Sequence, residues 1–391
     1  MKQKLGIYIH IPFCMSKCYY CNFASYVKKE NRIEEYIDCV CMEILQNAEI
    51  LSEYDIATIY FGGGTPSFID SKYIQKIMDT LRLFQKEDDV IETTIEVNPN
   101  SVTLEKLQDY KACGINRISM GVQSTHNDVL KKIGRIHQIE DVYQALELCK
   151  KLNFSNISID LIYPLPGLTL STWKETLEEV TSMIKKYPIK HISIYNLEVH
   201  EDTMLYHLLE QKEFSKEFSL VDEEEEYQMK ENLFEKLEKN GFFQYEISNF
   251  SMKGYESKHN LTYWNQNYYL GFGAGAASFF AGTRYKNTEN LEGYIQSIRS
   301  GFPAITEKEE LDLLDLMKEY MILKLRLKQG FDTNEFLNRF GKDVFSLFQN
   351  ELEDLEQKEL IKILPLKDSH KQICLTKRGM EVANYVWEKL I

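Results

Sequence analysis

The feature that most constrains this chain is an alternation of two patterns. Short β-like runs recur at "GIYIHIPF" (6–13), "IATIYFGGG" (56–64), "IETTIEVNP" (91–99), "NRISMGVQS" (116–124), "ISIDLIYP" (157–164) and "HISIYNLEV" (191–199). Amphipathic helical segments such as "IEEYIDCVCMEILQNAEIL" and "WKETLEEVTSMIKKY" separate them. Strands that read as near-continuously apolar, alternating with helices, predict an α/β fold with a parallel sheet covered by helices. Six such units predict a barrel or part of one, although a doubly wound open sheet gives the same alternation. The strand ends favour the barrel. They carry "GGGTPS", "EVNP", "GVQS", "YPLPG" after Asp160, and "YNLE". In a (β/α) barrel the chemistry gathers at those C-terminal ends.

The pattern changes after about residue 200. A charged helix over about 219–240 leads to "FFQYEISNF", then to "HNLTYWNQNYYLGFGAGAASFF" and a helix ending at Gly301. From Glu307 onward the chain reads as three helices, a two-stranded ribbon and a last helix, a winged-helix-like α+β domain. The expected division is 1–304 and 305–391. A net charge of −14 repels phosphate backbones, which argues against a nucleic-acid partner for that tail. The acidic run "DEEEE" (222–226) opens a helix, where carboxylates suit the positive end of the dipole. No apolar run approaches the length of a membrane span, which leaves a peripheral membrane contact open. The N-terminus lacks a small-residue cleavage site, so a cytoplasmic location is expected. Cys39, Cys41, Cys113, Cys149 and Cys374 are scattered, as buried free thiols of a reducing compartment are.

The other three cysteines are not scattered. Cys14, Cys18 and Cys21 form C-x3-C-x2-C on the loop after the first strand. One short loop can wrap a single metal centre, and thiolates suit zinc or iron–sulfur. A structural zinc site is normally closed by four protein ligands, with His10 as the nearby candidate. The other reading is a 4Fe–4S cluster with one iron left open.

With an aromatic Tyr20 just before the last cysteine, the loop resembles that of the radical S-adenosylmethionine (radical SAM) superfamily. The resemblance implies a partial (β/α)6 barrel of TIM type, a three-cysteine 4Fe–4S cluster, and SAM bound on the open iron. Gly63, Gly64 and Thr65 resemble the segment that holds the methionine amino group of SAM. Glu96, Gln123, Arg135 and Asp160 resemble SAM contacts in one branch of the superfamily. Arg135 suits a carboxylate bidentately, and the two acids suit ribose hydroxyls. Tyr8 matches a position by the sulfonium, and Tyr20 one that packs beside the cluster. Ala277, in the Gly-rich "GFGAGAAS", matches an adenine contact.

That branch contains the oxygen-independent coproporphyrinogen III oxidases and the HemW-type haem chaperones. The oxidases resemble C-x3-C-x2-C-x-C, and this chain has Phe23 at the last position. They also carry an N-terminal extension, for which Tyr8, eight residues from the start, leaves no room. "HNLTYW" (259–264) resembles the HNxxYW signature of the chaperones. Imidazole is a common axial haem ligand, so His259 is the expected ligand, on one helical face with Tyr263. The resemblance therefore implies a haem carrier that passes haem to an acceptor protein, served by an electron donor such as a flavodoxin or ferredoxin. The alternative is the oxidase itself, a radical SAM enzyme of porphyrin biosynthesis.

Overall fold

The computed structural model describes residues 2–85, 92–210, 218–366 and 370–391. Six parallel strands form its centre: β1 (Lys4–Ile11), β2 (Asp55–Gly63), β3 (Glu92–Val97), β4 (Arg117–Gln123), β5 (Ile157–Tyr163) and β6 (Ile189–Asn196). Each pairs with the next in chain order. All six expected runs are strands; Ile91, which opens the third run, lies outside the described residues.

The barrel is partial. β7 (Phe243–Gln244) and β8 (Asn249–Ser251) continue the sheet beyond β6, with β8 antiparallel to it. On the other side β9 (Tyr269–Phe272) runs parallel to β1. β10 (Ala277–Phe280), β11 (Thr283–Asn287) and β12 (Ile305–Glu310) extend that side as antiparallel strands. Among the described residues no helix is long and apolar enough to cross a membrane.

Two sequence expectations need correction. The segment after Glu307 does not begin as a helix. "ITEKEE" is β12, exposed along its whole length and paired with β11, so the first sheet runs past the expected division at 304/305. Its charges suit an exposed edge, where they deter pairing with another chain. The helix Leu313–Leu325 starts only after Asp312, which caps it through a capping box with Asp315.

Nor are the strands apolar on both faces. One face carries Tyr8 and His10 (β1), Thr58 and Tyr60 (β2), and Glu92, Thr94 and Glu96 (β3). It continues as Arg117 and Ser119 (β4), Ser158 and Asp160 (β5), and His191 and Ser193 (β6). The register aligns them across strands, Tyr8 with Tyr60 and Glu96 with Ser119. The alternate residues, among them Ile7, Ile59, Ile95, Ile118, Ile159 and Ile192, are buried in the apolar core. That core also contains Tyr36, Ile37, Leu107, Leu146 and Trp173 from the covering helices. The period of two is therefore a polar interior against an apolar exterior.

The C-terminal part has its own core, which includes Met317, Tyr320, Phe331, Phe336, Leu352 and Val386. β13 (Phe331–Asp332), β14 (Ile361–Pro365) and β15 (Lys371–Leu375) form an antiparallel sheet in the order β13-β15-β14. The expected ribbon is β14–β15, and β13 adds a short third strand. This part docks on the barrel through Arg326. Its guanidinium stacks between Trp264 (4.4 Å) and Trp387 (5.0 Å), a cation–π sandwich. Lys324 Nζ adds a bond to Asn265 Oδ1 (2.9 Å), and Arg339 Nη2 one to the Gln266 carbonyl (2.6 Å).

Candidate functional site

The cysteine loop leaves β1 and is folded back by backbone bonds. Cys14 N–H donates to Tyr26 O (3.0 Å), Tyr26 N–H to Pro12 O (2.6 Å), and Cys21 N–H to Cys18 O (3.2 Å). All three thiols line one cavity of about 360 Å³. Thr65 Oγ1 donates to Cys14 Sγ (3.5 Å) and Arg135 Nη1 to Cys18 Sγ (3.5 Å). The Phe23 backbone N–H serves Cys21. Burial pushes the Cys14 and Cys21 thiols up, so both keep their protons at neutral pH until a metal replaces them.

Behind the loop, β2 ends in the glycines expected there. Gly63 has φ +107°, and a Cβ on it would stand 2.5 Å from His10 Cε1. A Cβ on Gly64 would lie 2.9 Å from Ile11 O and 3.0 Å from Cys14 Sγ. Only glycine lets this turn close against the loop. Zinc with His10 fits poorly. His10 Nε2 donates to Ala24 O (2.9 Å), which leaves Nδ1 to accept from Tyr8 O–H (3.0 Å). Among the described residues, no three His, Cys, Asp or Glu side chains are gathered so as to hold a single metal ion.

The same cavity receives Tyr20, Gly63, Gly64, Thr65, Glu96, Gln123, Arg135 and Asp160, as the strand-end reading expects. Glu96 accepts from Tyr60 O–H (2.8 Å). Burial pushes its carboxyl up to about 7; the Tyr60 bond opposes this and the Asp160 charge adds to it. Asp160 is likewise raised by burial, against hydroxyl donors from Ser193, Ser119 and Ser158. Arg135 is oriented by Nη2 on Gly121 O (2.7 Å) and Nε on His137 Nδ1 (3.2 Å). Gln123 ends β4 at φ +65°, where the β4–β5 register shifts. Among the described residues its Oε1 is buried without a hydrogen-bond partner. A strained non-glycine backbone and an orphaned acceptor, both at one strand end, mark a site built for a ligand.

A second cavity, of about 500 Å³, opens between the barrel, β9–β11 and the C-terminal part. Phe23, Tyr263, Trp264, Tyr269 and Phe279 form aromatic walls, Leu323 closes one side, and Lys286 and Glu289 are among its polar residues. Tyr8 and Ala277, expected beside SAM, line this cavity and are not among the residues of the cysteine cavity. The Tyr8 hydroxyl is bonded to His10 on the same strand.

His259 is also placed differently from expectation. It is 1% exposed and lines neither cavity. Its Nδ1 is bonded to Thr58 Oγ1 (2.9 Å) and its Nε2 to Tyr263 Oη (2.7 Å), and its ring stacks on Tyr60 with centroids 5.1 Å apart. Burial and the Arg117 charge hold its pKa down at about 3. An axial ligand needs a free imidazole nitrogen at a surface, and His259 has none. The helix Lys258–Trp264 is instead a plug. Its first N–H groups, from Lys258 and His259, donate to the Glu92 carboxylate at 3.1 and 3.0 Å. The shared helical face was legible, but the side that faces the ligand cavity is Tyr263 and Trp264.

Sequence reasoning gave no individual role to Ser119 or to Tyr195, Asn196 and Glu198 of "YNLE", and missed His200, all in the cysteine cavity. The period of two along β4 and β6 was the signal for the first two.

Residues 8–180 match the radical SAM superfamily model, and residues 311–382 match the HemN C-terminal domain. The chain is 36% identical over 382 residues to a Bacillus subtilis protein named "Heme chaperone HemW", covering 97% of each. It is 35% identical to the protein of that name from Lactococcus lactis, covering 100% of this chain and 98% of the relative. The chain belongs to the HemW family. Its fold is also that of the Escherichia coli coproporphyrinogen III oxidase HemN, a radical SAM enzyme, with a TM-score of 0.82 and 22% identity. That likeness covers 100% of this chain and 90% of the oxidase. For a HemW-family chain, the superfamily implies a 4Fe–4S cluster and SAM. The residues fit both. Three thiols converge on a cavity with room beside them, a glycine cradle admits no Cβ, and Gln123 Oε1 lacks a donor.

Proposed function

We propose that this protein is a cytoplasmic haem chaperone that binds haem and hands it to an acceptor protein. The observation that carries this reading is its end-to-end similarity to proteins named as haem chaperones. The aromatic cavity supplies the place. A flat, apolar tetrapyrrole stacks well on aromatic side chains, and about 500 Å³ lies within the range of small-ligand cavities. Tyr8 and Ala277 serve as walls there.

In the adjoining cavity Cys14, Cys18 and Cys21 would hold a 4Fe–4S cluster. Arg135 and the Thr65 hydroxyl would offset thiolate charge, while Tyr20 packs against the loop. Gly63 and Gly64 open the backbone for SAM, Glu96 and Asp160 accept its hydrogen bonds, and the Gln123 carbonyl takes a donor. When bound, the cluster supplies a low-potential electron to SAM, delivered by a donor such as a flavodoxin or ferredoxin.

The test against the oxidase reading uses anaerobically reconstituted protein with SAM, reductant and coproporphyrinogen III. No protoporphyrinogen IX is expected, together with a Soret shift when haem is added. Steady conversion of coproporphyrinogen III would overturn the reading.

A further inference from the structure

The two cavities share part of their walls. Asn22 and Phe23 line both the cysteine cavity and the aromatic cavity. Phe23 is 64% exposed, in a loop otherwise anchored to the barrel. Its backbone is fixed on both sides. The Phe23 N–H is bonded to the Cys21 thiol, and the next carbonyl, Ala24 O, accepts from His10 Nε2 at 2.9 Å. Cys21 faces the cysteine cavity and His10 faces the aromatic one. Phe23 therefore stands in the wall that the two cavities share, on a backbone tied to a residue of each.

We propose that Phe23 is a positioning residue shared by the two ligands, stacking on the tetrapyrrole in one cavity and closing the SAM site in the other. Occupancy of one cavity sets the ring for the other, so haem and SAM bind with a coupling free energy that runs through Phe23. This rests on the haem reading of the aromatic cavity. Linkage makes the coupling reciprocal: SAM changes the haem affinity by the same factor as haem changes the SAM affinity.

The test is haem titration of anaerobically reconstituted full-length protein, followed at the Soret band with and without saturating SAM. It compares wild type, Phe23→Ala and Phe23→Tyr. Phe23 donates no side-chain ligand to the cysteine loop, so cluster absorbance serves as the fold control for each variant. SAM is expected to change the wild-type haem Kd by at least about fivefold, the low end of ordinary allosteric couplings. In Phe23→Ala the two titrations should coincide, and Phe23→Tyr should restore most of the difference. A merely structural role would weaken both titrations and leave their ratio intact. A SAM-insensitive wild type, or a ratio that survives in Phe23→Ala, overturns the proposal while the haem reading stands. Failure of wild type to bind haem at all overturns both.

Discussion

Acidification should loosen SAM while the cluster is still intact, because one carboxyl of the cysteine cavity titrates in the neutral range. Glu96 is pushed up to about 7, chiefly by burial, with Asp160 adding and the Tyr60 hydrogen bond opposing. The sign follows from the chemistry of the acid. Below that value Glu96 is protonated, has lost its charge toward a sulfonium cation, and offers less acceptor capacity to an amine or hydroxyl. About one pH unit below 7 only roughly a tenth of it is ionised. SAM affinity should therefore fall about tenfold, ~1.4 kcal/mol, between about pH 8 and about pH 6. Glu96→Gln removes the titration. It should bind SAM about as weakly as the acidified wild type, with no slope from this residue. Calorimetric titration in two buffers of different ionisation enthalpy reads both the affinity and the proton released on binding, and cluster absorbance at each pH serves as the control. A flat wild-type profile, or the same slope in the Gln variant, refutes the assignment of Glu96 to the SAM site.

Three further outcomes follow from the geometry. Gly63→Ala puts a Cβ 2.5 Å from the His10 ring at φ +107°, so it should cost about 1–3 kcal/mol in thermal unfolding and lower cluster content on reconstitution. His259→Ala strips partners from Thr58 and Tyr263 and opens a hole beside Tyr60; it should lose about 2–4 kcal/mol of stability. The Soret position of bound haem should nevertheless stay where it is in wild type, and a changed ligation spectrum would restore His259 as a ligand. Arg135→Lys keeps the charge but loses the fork that spans Gly121 O and Cys18 Sγ, so cluster content on reconstitution should fall, read by absorbance with thermal unfolding as the fold control.

The fold was largely legible because its strands and helices each keep one period over many residues. The six strands appear where the β-like runs stand, and Cys14, Cys18, Cys21, Glu96, Gln123, Arg135 and Asp160 meet in one cavity because parallel strands present the same end. What misled was sidedness. Reading β2 or β3 as an apolar strand overlooked that Thr58, Tyr60, Glu92, Thr94 and Glu96 repeat every second residue and turn one face inward. His259 looked chemical because of its residue type, yet its burial follows from long-range partners, Thr58 and Glu92, invisible in a local motif. Tyr8 and Ala277 lie on strands that border the second cavity, whose far wall comes from the C-terminal part through Leu323 and Glu319. A cavity between parts distant in sequence leaves no local signal in either. Similarly, "ITEKEE" has no apolar face for a periodicity to report, and only its pairing with β11 reveals it as a strand.

Kinetics of haem transfer test the central claim most directly. Haem-loaded protein, with cluster and SAM in place, is mixed with the apo form of a b-type haem protein from the same source, and transfer is followed at the Soret band. A chaperone hands over its cargo in a complex, so the observed rate should rise with acceptor concentration above the spontaneous release rate measured with a haem scavenger. A rate that equals spontaneous release at every acceptor concentration would contradict the chaperone reading.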